Sequence, residues 1–357
     1  MTRPARRLLV VASLLLLPLT GCGAGTETAV RTEDPEAPVF PGAAWETGTV
    51  TPEVLGDIDG RMSEFFSRAP AEGGPKGAMV VKNGRVVWQR YAAGYTATSV
   101  MQSFSVAKSI LSLAVGIAID DGVIALGDSG LNPAWTGSDP RSRITVEDLL
   151  HMRSGLEWDE DFVDGDPSRM LDHPSGAADM AARRELVKPP GSVFSYSTGN
   201  SAILAAYLNR RLGGGDALVT FVGERLLRPL GVTTMSLLKD SSGQWVGGIG
   251  ADATLSDWAR IGWMVLNGGV WGDRRIVSEG WLRYSQQPKD LEGVYLAHWW
   301  KLSPNAVAAV GLHGQAIIID DLLHTVVTIA YGDAPDEDEG LQLGLQLLSS
   351  VALSYAD

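Results

Sequence analysis

The sequence is poor in cysteine and in positive charge. Cys22 is the only cysteine among 357 residues, so no disulfide can form within the chain. Lysine and arginine number 29 against 42 aspartates and glutamates, and the net charge of −13 argues against binding to nucleic acid or to anionic lipid by charge. No Gly-x-Ser-x-Gly segment occurs, which argues against an ordinary α/β-hydrolase. We predict neither a metal site nor a cofactor.

The first 21 residues read as a targeting segment that is removed from the mature protein. Arginines at positions 3, 6 and 7 give a positively charged N-terminal region. The apolar run from Leu8 to Leu19 follows it and is too short to span a membrane as a mature helix. The run Leu19-Thr20-Gly21-Cys22 looks like a bacterial lipoprotein signal, in which cleavage leaves Cys22 as the lipidated N-terminus. We therefore expect a lipid-anchored protein on the extracytoplasmic face of the cell membrane. An ordinary secretory signal with a chance cysteine is the alternative.

The remaining chain divides into a tether and one large domain. Residues 22–45 are rich in Thr, Glu, Pro and Gly without apolar periodicity, which is typical of a flexible linker. Residues 46–357 show no second break in composition and are long enough for a large core. We expect this domain to be a monomer.

The order of the predicted elements indicates an α+β fold. A hairpin is predicted from Ala78 to Tyr91, turning at Asn83-Gly84. Helices follow in the middle of the chain, strands return between Tyr295 and Ala330, and a last helix is predicted after them. Residues 157–183 are polar and rich in Asp, Pro and Gly, which suggests a long loop over a site. We expect an antiparallel sheet flanked by helices, with a mostly helical lobe.

Ser105 and Lys108 open a long apolar run that ends near residue 120. The run is too long for an ordinary strand and has almost no polar face, so it predicts a buried helix. The i, i+3 spacing would place an amine beside a hydroxyl. Burial and the positive end of a helix both lower the pKa of an amine, and a neutral amine can activate a serine as a nucleophile. The same pattern alone also fits a capped helix whose lysine reaches solvent.

Two later stretches support the interpretation that Ser105 and Lys108 are catalytic. Tyr196 lies in Phe194-Ser195-Tyr196-Ser197-Thr198-Gly199-Asn200, just before a predicted helix, and its hydroxyl could relay a proton. The segment Gly311-Leu312-His313-Gly314-Gln315 leads into an apolar strand, where a backbone N–H could complete an oxyanion hole with that of Ser105.

In this order, the three stretches resemble the β-lactamase-related serine hydrolases. That superfamily includes class C β-lactamases, D,D-peptidases, esterases and 6-aminohexanoate-oligomer hydrolases, and the resemblance covers roughly residues 50–331. It implies a β-lactamase/transpeptidase-like fold and an acyl-enzyme mechanism. Ser105 would be the nucleophile, Lys108 its activating lysine and Tyr196 the catalytic tyrosine, with the N–H groups of Ser105 and Gln315 as the oxyanion hole.

Two departures from the family pattern bear on the substrate. Lactamases and peptidases carry Tyr-x-Asn, whereas Thr198 stands in the third place here and Asn200 follows two residues later. Leu312 stands where a lysine would meet the carboxylate of a penicillin. The pattern is most similar to the 6-aminohexanoate-oligomer hydrolase and esterase branch, so we expect a small ester or amide as substrate and weak β-lactam turnover.

The expected substrate contacts are Asn200, His313 and Gly314. Two other functions stay open from the sequence. One is a β-lactamase or D,D-peptidase, which Thr198 and Leu312 disfavour. The other is a sensor lipoprotein that keeps the fold without turnover, which the intact Ser-Lys-Tyr set disfavours.

Overall fold

Residues 38–289, 293–332 and 339–352 are described by the computed structural model, and within them an antiparallel sheet of six strands forms the framework. Its strand order is β2-β1-β10-β9-β8-β7, so its first and last strands in sequence, β1 and β10, pair with each other. The helices are α1 (Pro52–Phe65), α2 (Val106–Asp120), α3 (Val146–Leu150), α4 (Asp166–Met170), α5 (Ala177–Ala182), α6 (Thr198–Arg211), α7 (Ala217–Val222), α8 (Leu255–Leu266), α9 (Glu279–Ser285) and α10 (Glu339–Ala352). The strands are β1 (Pro75–Lys82), β2 (Arg85–Tyr91), β3 (Ser236–Leu237), β4 (Ala251–Asp252), β5 (Val270–Trp271), β6 (Arg274–Arg275), β7 (Trp300–Ser303), β8 (Ala306–Gly311), β9 (Gln315–Asp320) and β10 (Thr325–Tyr331).

The first hairpin forms as its turn sequence predicts. Asn83 and Gly84 have φ values of 49° and 77°, the two positive angles that a type I′ turn requires. Lys82 pairs with Arg85 across the turn. A Cβ at Gly84 would lie 2.1 Å from the Val39 carbonyl oxygen, so glycine also admits the segment that enters the domain.

Helices cover both faces of the central strands. Every residue of β9 and β10 is buried, in agreement with the continuous apolar runs there. Successive side chains of a strand point to opposite faces, so Ile317 faces α8 and Ile318 faces α10. Each helix approaches closely because a glycine faces the sheet: Cβ atoms at Gly262 and Gly344 would lie 2.6 Å and 2.1 Å from side chains of β10 and β9 respectively. The expected α+β fold with a helix-flanked antiparallel sheet is confirmed.

Helix α2 is the buried centre of the molecule. Its residues from Val106 to Ala118 are all buried, as the predominantly apolar run predicts. Two serines on this helix donate hydrogen bonds to backbone carbonyls of the buried segment before β7. Ser109 Oγ donates to His298 O at 2.7 Å, and Ser112 Oγ donates to Ala297 O at 2.8 Å. The ring of Trp281 from α9 packs directly against Gly116. A Cβ at that position would lie 2.2 Å from the indole, so there is no room for a side chain.

The compact unit begins earlier than the sequence suggested. It starts at Val39, within the segment 22–45 that the sequence predicts to be a flexible tether. Phe40 packs its ring against Trp271 at 5.3 Å, and Val39 O accepts a hydrogen bond from Trp263 Nε1 at 2.9 Å. Arg260 donates to the carbonyl of Gly42 at 2.7 Å. The end of the predicted tether is therefore fixed to α8 and β5, because its aromatic side chain and backbone carbonyls find partners there.

In the part of the chain that the structure describes, no helix has the length and apolarity needed to cross a membrane. Residues 1–37, which include the predicted signal peptide and most of the tether, lie outside the described residues.

The glycine in α2 gives a stability prediction. Alanine is normally the better helix former by about 1 kcal/mol, but at Gly116 the new methyl group would collide with the buried ring of Trp281. We expect Gly116→Ala to lower the free energy of unfolding by about 1–3 kcal/mol through overpacking. Gly60→Ala is the matched control, because Gly60 is at an exposed position of α1 and a Cβ there would have nothing within 4 Å. It should be stabilising by up to about 1 kcal/mol. Urea denaturation of both variants measures the difference, and equal stabilisation would contradict it.

Candidate active site

Ser105 and Lys108 come together at the start of α2. Ser105 is the residue before the helix, and the helical spacing brings Lys108 Nζ to 2.9 Å from Ser105 Oγ. Phe104, directly before the serine, has a φ of 44°, in the left-handed region that a phenylalanine rarely adopts. Such local strain is common at functional sites, where the surrounding structure maintains it. The two side chains are 6% and 2% exposed.

The Lys108 amine lies among three oxygen atoms. Besides Ser105 Oγ, its Nζ is 2.9 Å from Thr198 Oγ1 and 2.9 Å from the Gly248 carbonyl oxygen. Burial lowers the pKa of Lys108 to about 8, and the negative charge of Glu160 opposes that shift. A substantial fraction of this lysine is therefore neutral near pH 8, the state in which an amine can accept a proton.

Tyr196 lies beside the same amine. Its ring centroid is 4.9 Å from Lys108 Nζ, within the range of a cation–π contact. On its other sides the ring packs edge-on against Tyr295 at 5.4 Å and tilted against Trp300 at 5.7 Å. The structure thus brings Ser105, Lys108 and Tyr196 into one site.

Thr198, the departure from Tyr-x-Asn, contacts the lysine directly, whereas the Asn200 side chain bonds to Ser154. The Asn200 side chain is 1% exposed; its Oδ1 accepts from Ser154 Oγ at 2.8 Å, and its Nδ2 is 3.7 Å from Met152 Sδ. It therefore joins the turn after α3 to α6. Two residues of helix separate Asn200 from the face that Thr198 presents to Lys108, and its expected contact with substrate stays a prediction.

The end of β8 approaches Ser105. A Cβ at Gly311 would lie 2.3 Å from Ser103 O and 3.2 Å from the backbone nitrogen of Ser105, so only glycine fits there. Gln315 pairs with Gly311 across the hairpin, and its own side chain points to β10. That side chain is 1% exposed, and its amide exchanges two hydrogen bonds with the backbone of Tyr331, at 2.9 Å and 3.1 Å. The backbone beside the Ser105 N–H is that of Gly311, and the oxyanion role of Gln315 stays a prediction.

Gly314 has a packing role and His313 lies nearer the site. A Cβ at Gly340 would lie 2.0 Å from the Gly314 carbonyl oxygen, so Gly314 contacts the start of α10, and its contact with substrate stays a prediction. His313 has a φ of 62°, and its half-buried ring packs edge-on against Phe104 at 5.3 Å. Phe104 also contacts Phe162 of the 157–183 loop at 6.4 Å. His313 therefore packs against the residue before Ser105, and its contact with substrate stays a prediction.

Glu160 is a site residue that the sequence analysis missed. One carboxylate oxygen accepts the Thr198 hydroxyl proton, and the other accepts from Thr198 N at 2.7 Å and from Trp158 Nε1. The polar composition of residues 157–183 predicted a loop over a site. That composition offers many acidic residues, however, and nothing in their spacing singles out one whose partner is 38 positions away.

The loop that carries Glu160 is fixed to the protein. Asp166 forms an ion pair with Arg184, and its side chain accepts from Asp159 N at 3.1 Å. Gly165 is packed so tightly that a Cβ would lie 2.4 Å from Asp161 O. The expected long loop contains two short helices, α4 and α5, and it has a defined conformation over Thr198.

His298 lies behind the lysine as a structural residue. Its Nδ1 is 2.8 Å from Leu150 O, which can only accept, so Nδ1 carries the proton and Nε2 accepts from Ser201 Oγ at 2.9 Å. Burial lowers the pKa of His298 to about 3, so the ring is neutral. Its positive φ of 63° also explains why β7 begins at Trp300 rather than at Tyr295 as predicted.

Among the described residues, no group of three or more His, Cys, Asp or Glu side chains is placed to hold a metal ion. Cys22, the predicted lipidation site, lies outside the described residues.

Comparison with known proteins agrees with this geometry. The chain is 27% identical to the 6-aminohexanoate-dimer hydrolase of Paenarthrobacter ureafaciens, over 91% of this chain and 88% of that protein. A solved structure from Bacillus anthracis, assigned as a 6-aminohexanoate-dimer hydrolase, superposes with a TM-score of 0.70 at 18% identity and covers 87% of each chain. The octameric penicillin-binding protein homologue from Pyrococcus abyssi superposes with a TM-score of 0.65 at 18% identity, over 85% of this chain and 78% of that one.

At such identities, the two solved structures establish the β-lactamase/transpeptidase-like fold alone. The resemblance inferred from the three motifs is confirmed, because the profile of the family described as Beta-lactamase matches residues 63–341, most of the sequence. The chain belongs to the β-lactamase family of hydrolases.

Proposed function

We propose that this protein is a serine hydrolase that cleaves a small ester or amide through an acyl-enzyme. The observation that carries the proposal is the 2.9 Å approach of a buried lysine amine to the Ser105 hydroxyl. An alcohol is a weak nucleophile near neutral pH, and a neutral amine at this distance can take its proton as attack begins.

The proposed reaction proceeds in two steps. Ser105 Oγ bonds to the carbonyl carbon and gives its proton to Lys108, while the Ser105 N–H faces the developing oxyanion beside Gly311. The bond to the leaving group then breaks, and Tyr196 transfers a proton from Lys108 to the departing oxygen or nitrogen. Water next attacks the acyl-serine and passes one proton to Lys108. As the bond to Ser105 Oγ breaks and the acid leaves, Lys108 returns that proton to Ser105 Oγ.

Aromatic side chains favour an apolar substrate group beside the scissile bond. Tyr196, Tyr295 and Trp300 form a continuous cluster, in which Tyr295 and Trp300 lie 4.8 Å apart. Phe194, which is 43% exposed, extends this cluster outward by its contact with Tyr295 at 5.5 Å. Leu312 offers no charge for the carboxylate of a β-lactam, which supports an ester or amide over a penicillin as substrate.

We also propose that Cys22 carries lipid and anchors the enzyme on the extracytoplasmic face of a bacterial membrane. The support is the Leu19-Thr20-Gly21-Cys22 run and the basic, apolar segment before it.

The pH dependence follows from the pKa of Lys108. Its folded pKa of about 8 lies below the ordinary value, and the base is active only after losing its proton, so the rate rises as pH rises through about 8. We expect the second-order rate of Ser105 labelling by a fluorophosphonate to increase roughly tenfold per pH unit below pH 7 and to level off above pH 9. A rate independent of pH between 6 and 9 would contradict a lysine base.

The catalytic roles predict the behaviour of three variants on a short p-nitrophenyl ester. Ser105→Ala and Lys108→Ala should each abolish turnover, and the double variant should be no worse than either, as for residues that act as a unit. Tyr196→Phe keeps the ring packing but removes a proton relay, so we expect activity about 10²–10⁴-fold lower. Tyr91→Phe on β2 is the matched control and should retain full activity.

Parallel assays separate this function from its rivals. Nitrocefin hydrolysis as efficient as that of the best ester would favour a β-lactamase. Fluorophosphonate labelling without turnover of esters or amides would favour a sensor. Retention of more than a tenth of the parent rate by Lys108→Ala would contradict the mechanism.

The lipid anchor predicts how the full-length chain fractionates. In a host with lipoprotein processing, Cys22→Ala should release the protein from the membrane fraction or arrest its maturation, because the acyl chains attach at that sulfur. Thr26→Ala is the control and should remain with the membrane. If both variants fractionate like the parent, the anchor proposal is wrong.

A further inference from the structure

The hydrogen bonds of Lys108 determine where its lone pair can point. A neutral amine has two N–H donors and one lone pair, and three oxygen atoms lie 2.9 Å from Nζ. The Gly248 carbonyl oxygen can only accept, so it takes one N–H. The Thr198 and Ser105 hydroxyls can each donate or accept. The direction of the Lys108 lone pair therefore depends on whether the Thr198 hydroxyl donates to Nζ or accepts from it.

Glu160 decides the direction of that hydroxyl. A carboxylate only accepts hydrogen bonds, and one Glu160 oxygen lies within hydrogen-bond distance of Thr198 Oγ1. The Thr198 proton therefore points to Glu160, and the Thr198 oxygen accepts the second N–H of Lys108. The other Glu160 oxygen is fixed by Thr198 N at 2.7 Å and by Trp158 Nε1, so the carboxylate cannot turn without losing both donors.

With both donors of the neutral amine engaged by Gly248 and Thr198, its lone pair points to Ser105 Oγ. We propose that Glu160 is a positioning residue that acts through Thr198 to aim the lone pair of Lys108 at the nucleophile. This inference rests on the proposed function, because it assumes that Lys108 is the base. Its role resembles that of a third group that orients a general base, here with a threonine hydroxyl in between.

A carboxamide at position 160 would reverse the arrangement. Its oxygen would stay with the two N–H donors of Thr198 and Trp158, so its NH₂ group would face Thr198 Oγ1. The hydroxyl would then turn its proton to Lys108 Nζ and occupy the lone pair that should face Ser105. Glu160→Gln is therefore nearly isosteric and inverts one hydrogen bond.

The charge of Glu160 gives a second, separate effect. The titratable groups around Lys108 are Glu160 from the loop, Tyr196 from before α6 and His298 from before β7, with Tyr295 beyond Tyr196. His298 is neutral, because burial lowers its pKa to about 3. Glu160 raises the pKa of Lys108 against the effect of burial. Removing its charge should therefore move the alkaline rise in rate to lower pH.

The test is the pH profile of fluorophosphonate labelling at Ser105 in folded variants of the full chain. For Glu160→Gln we expect the high-pH plateau to fall by about 10–10²-fold, the lower part of the range for acid–base contributions, and the rise to shift to lower pH. Asp164→Asn removes a negative charge from an exposed position of the same loop and is the matched control. It should keep the plateau within about twofold, because Glu160 is the carboxylate that bonds Thr198 and acts on the charge of Lys108.

Variants of Thr198 test whether Glu160 acts through that hydroxyl. Thr198→Ser keeps the hydroxyl and should retain most of the plateau, whereas the isosteric Thr198→Val should lower it about as much as Glu160→Gln. In the Thr198→Val background, Glu160→Gln should cost little more, since the two residues would act as a unit.

The outcomes distinguish this inference from the proposed function. If the parent is not labelled at Ser105, the proposed function fails. If the parent is labelled and Glu160→Gln matches Asp164→Asn in plateau and pH profile, the positioning role is overturned. Should Glu160→Gln fail to fold, the Thr198 pair decides, and equal plateaus for Thr198→Val and Thr198→Ser would overturn the inference.

Discussion

The burial of the Lys108 amine is the strongest constraint on this structure. Lys108 is 2% exposed, and a lysine in such a place is costly unless its donors find partners. The partners come from three separate segments: Ser105 at the start of α2, Thr198 at the start of α6 and the carbonyl of Gly248 before β4. The same burial lowers the pKa of Lys108, because it disfavours the ammonium form. It therefore favours the neutral amine that the proposed mechanism requires as a base.

Close approach of these segments depends on glycine. A Cβ at Gly248 would lie 2.8 Å from Thr198 Cγ2, and one at Gly311 would lie 2.3 Å from the carbonyl of Ser103. Any side chain at either position would push the backbone away from the amine or from the nucleophile. Helix α2 packs against β8 and β9 of the sheet and against α6, so Ser105 and Lys108 are supported by regular elements of the scaffold.

Local patterns in the sequence predicted the elements and the contact between Ser105 and Lys108, because helical spacing alone brings residues 105 and 108 together. Sequence could not predict side-chain direction across long separations. Asn200 has the right chemistry for a ligand, but the turn of α6 directs it to Ser154, and the Gln315 amide is engaged by Tyr331. Glu160 was hidden for the same reason, since its role depends on a contact that folding alone creates.

The departure from the family pattern at Thr198 explains why a carboxylate is needed there. An asparagine in that place would carry its acceptor and its donors on different atoms, so packing alone could set which one meets the lysine. A threonine hydroxyl is donor and acceptor on one atom, and its proton rotates to suit its surroundings. Without an obligate acceptor, the hydroxyl could donate to the amine as easily as it accepts. The Thr198–Glu160 pair therefore behaves as one unit, in which the carboxylate supplies the direction that the hydroxyl lacks.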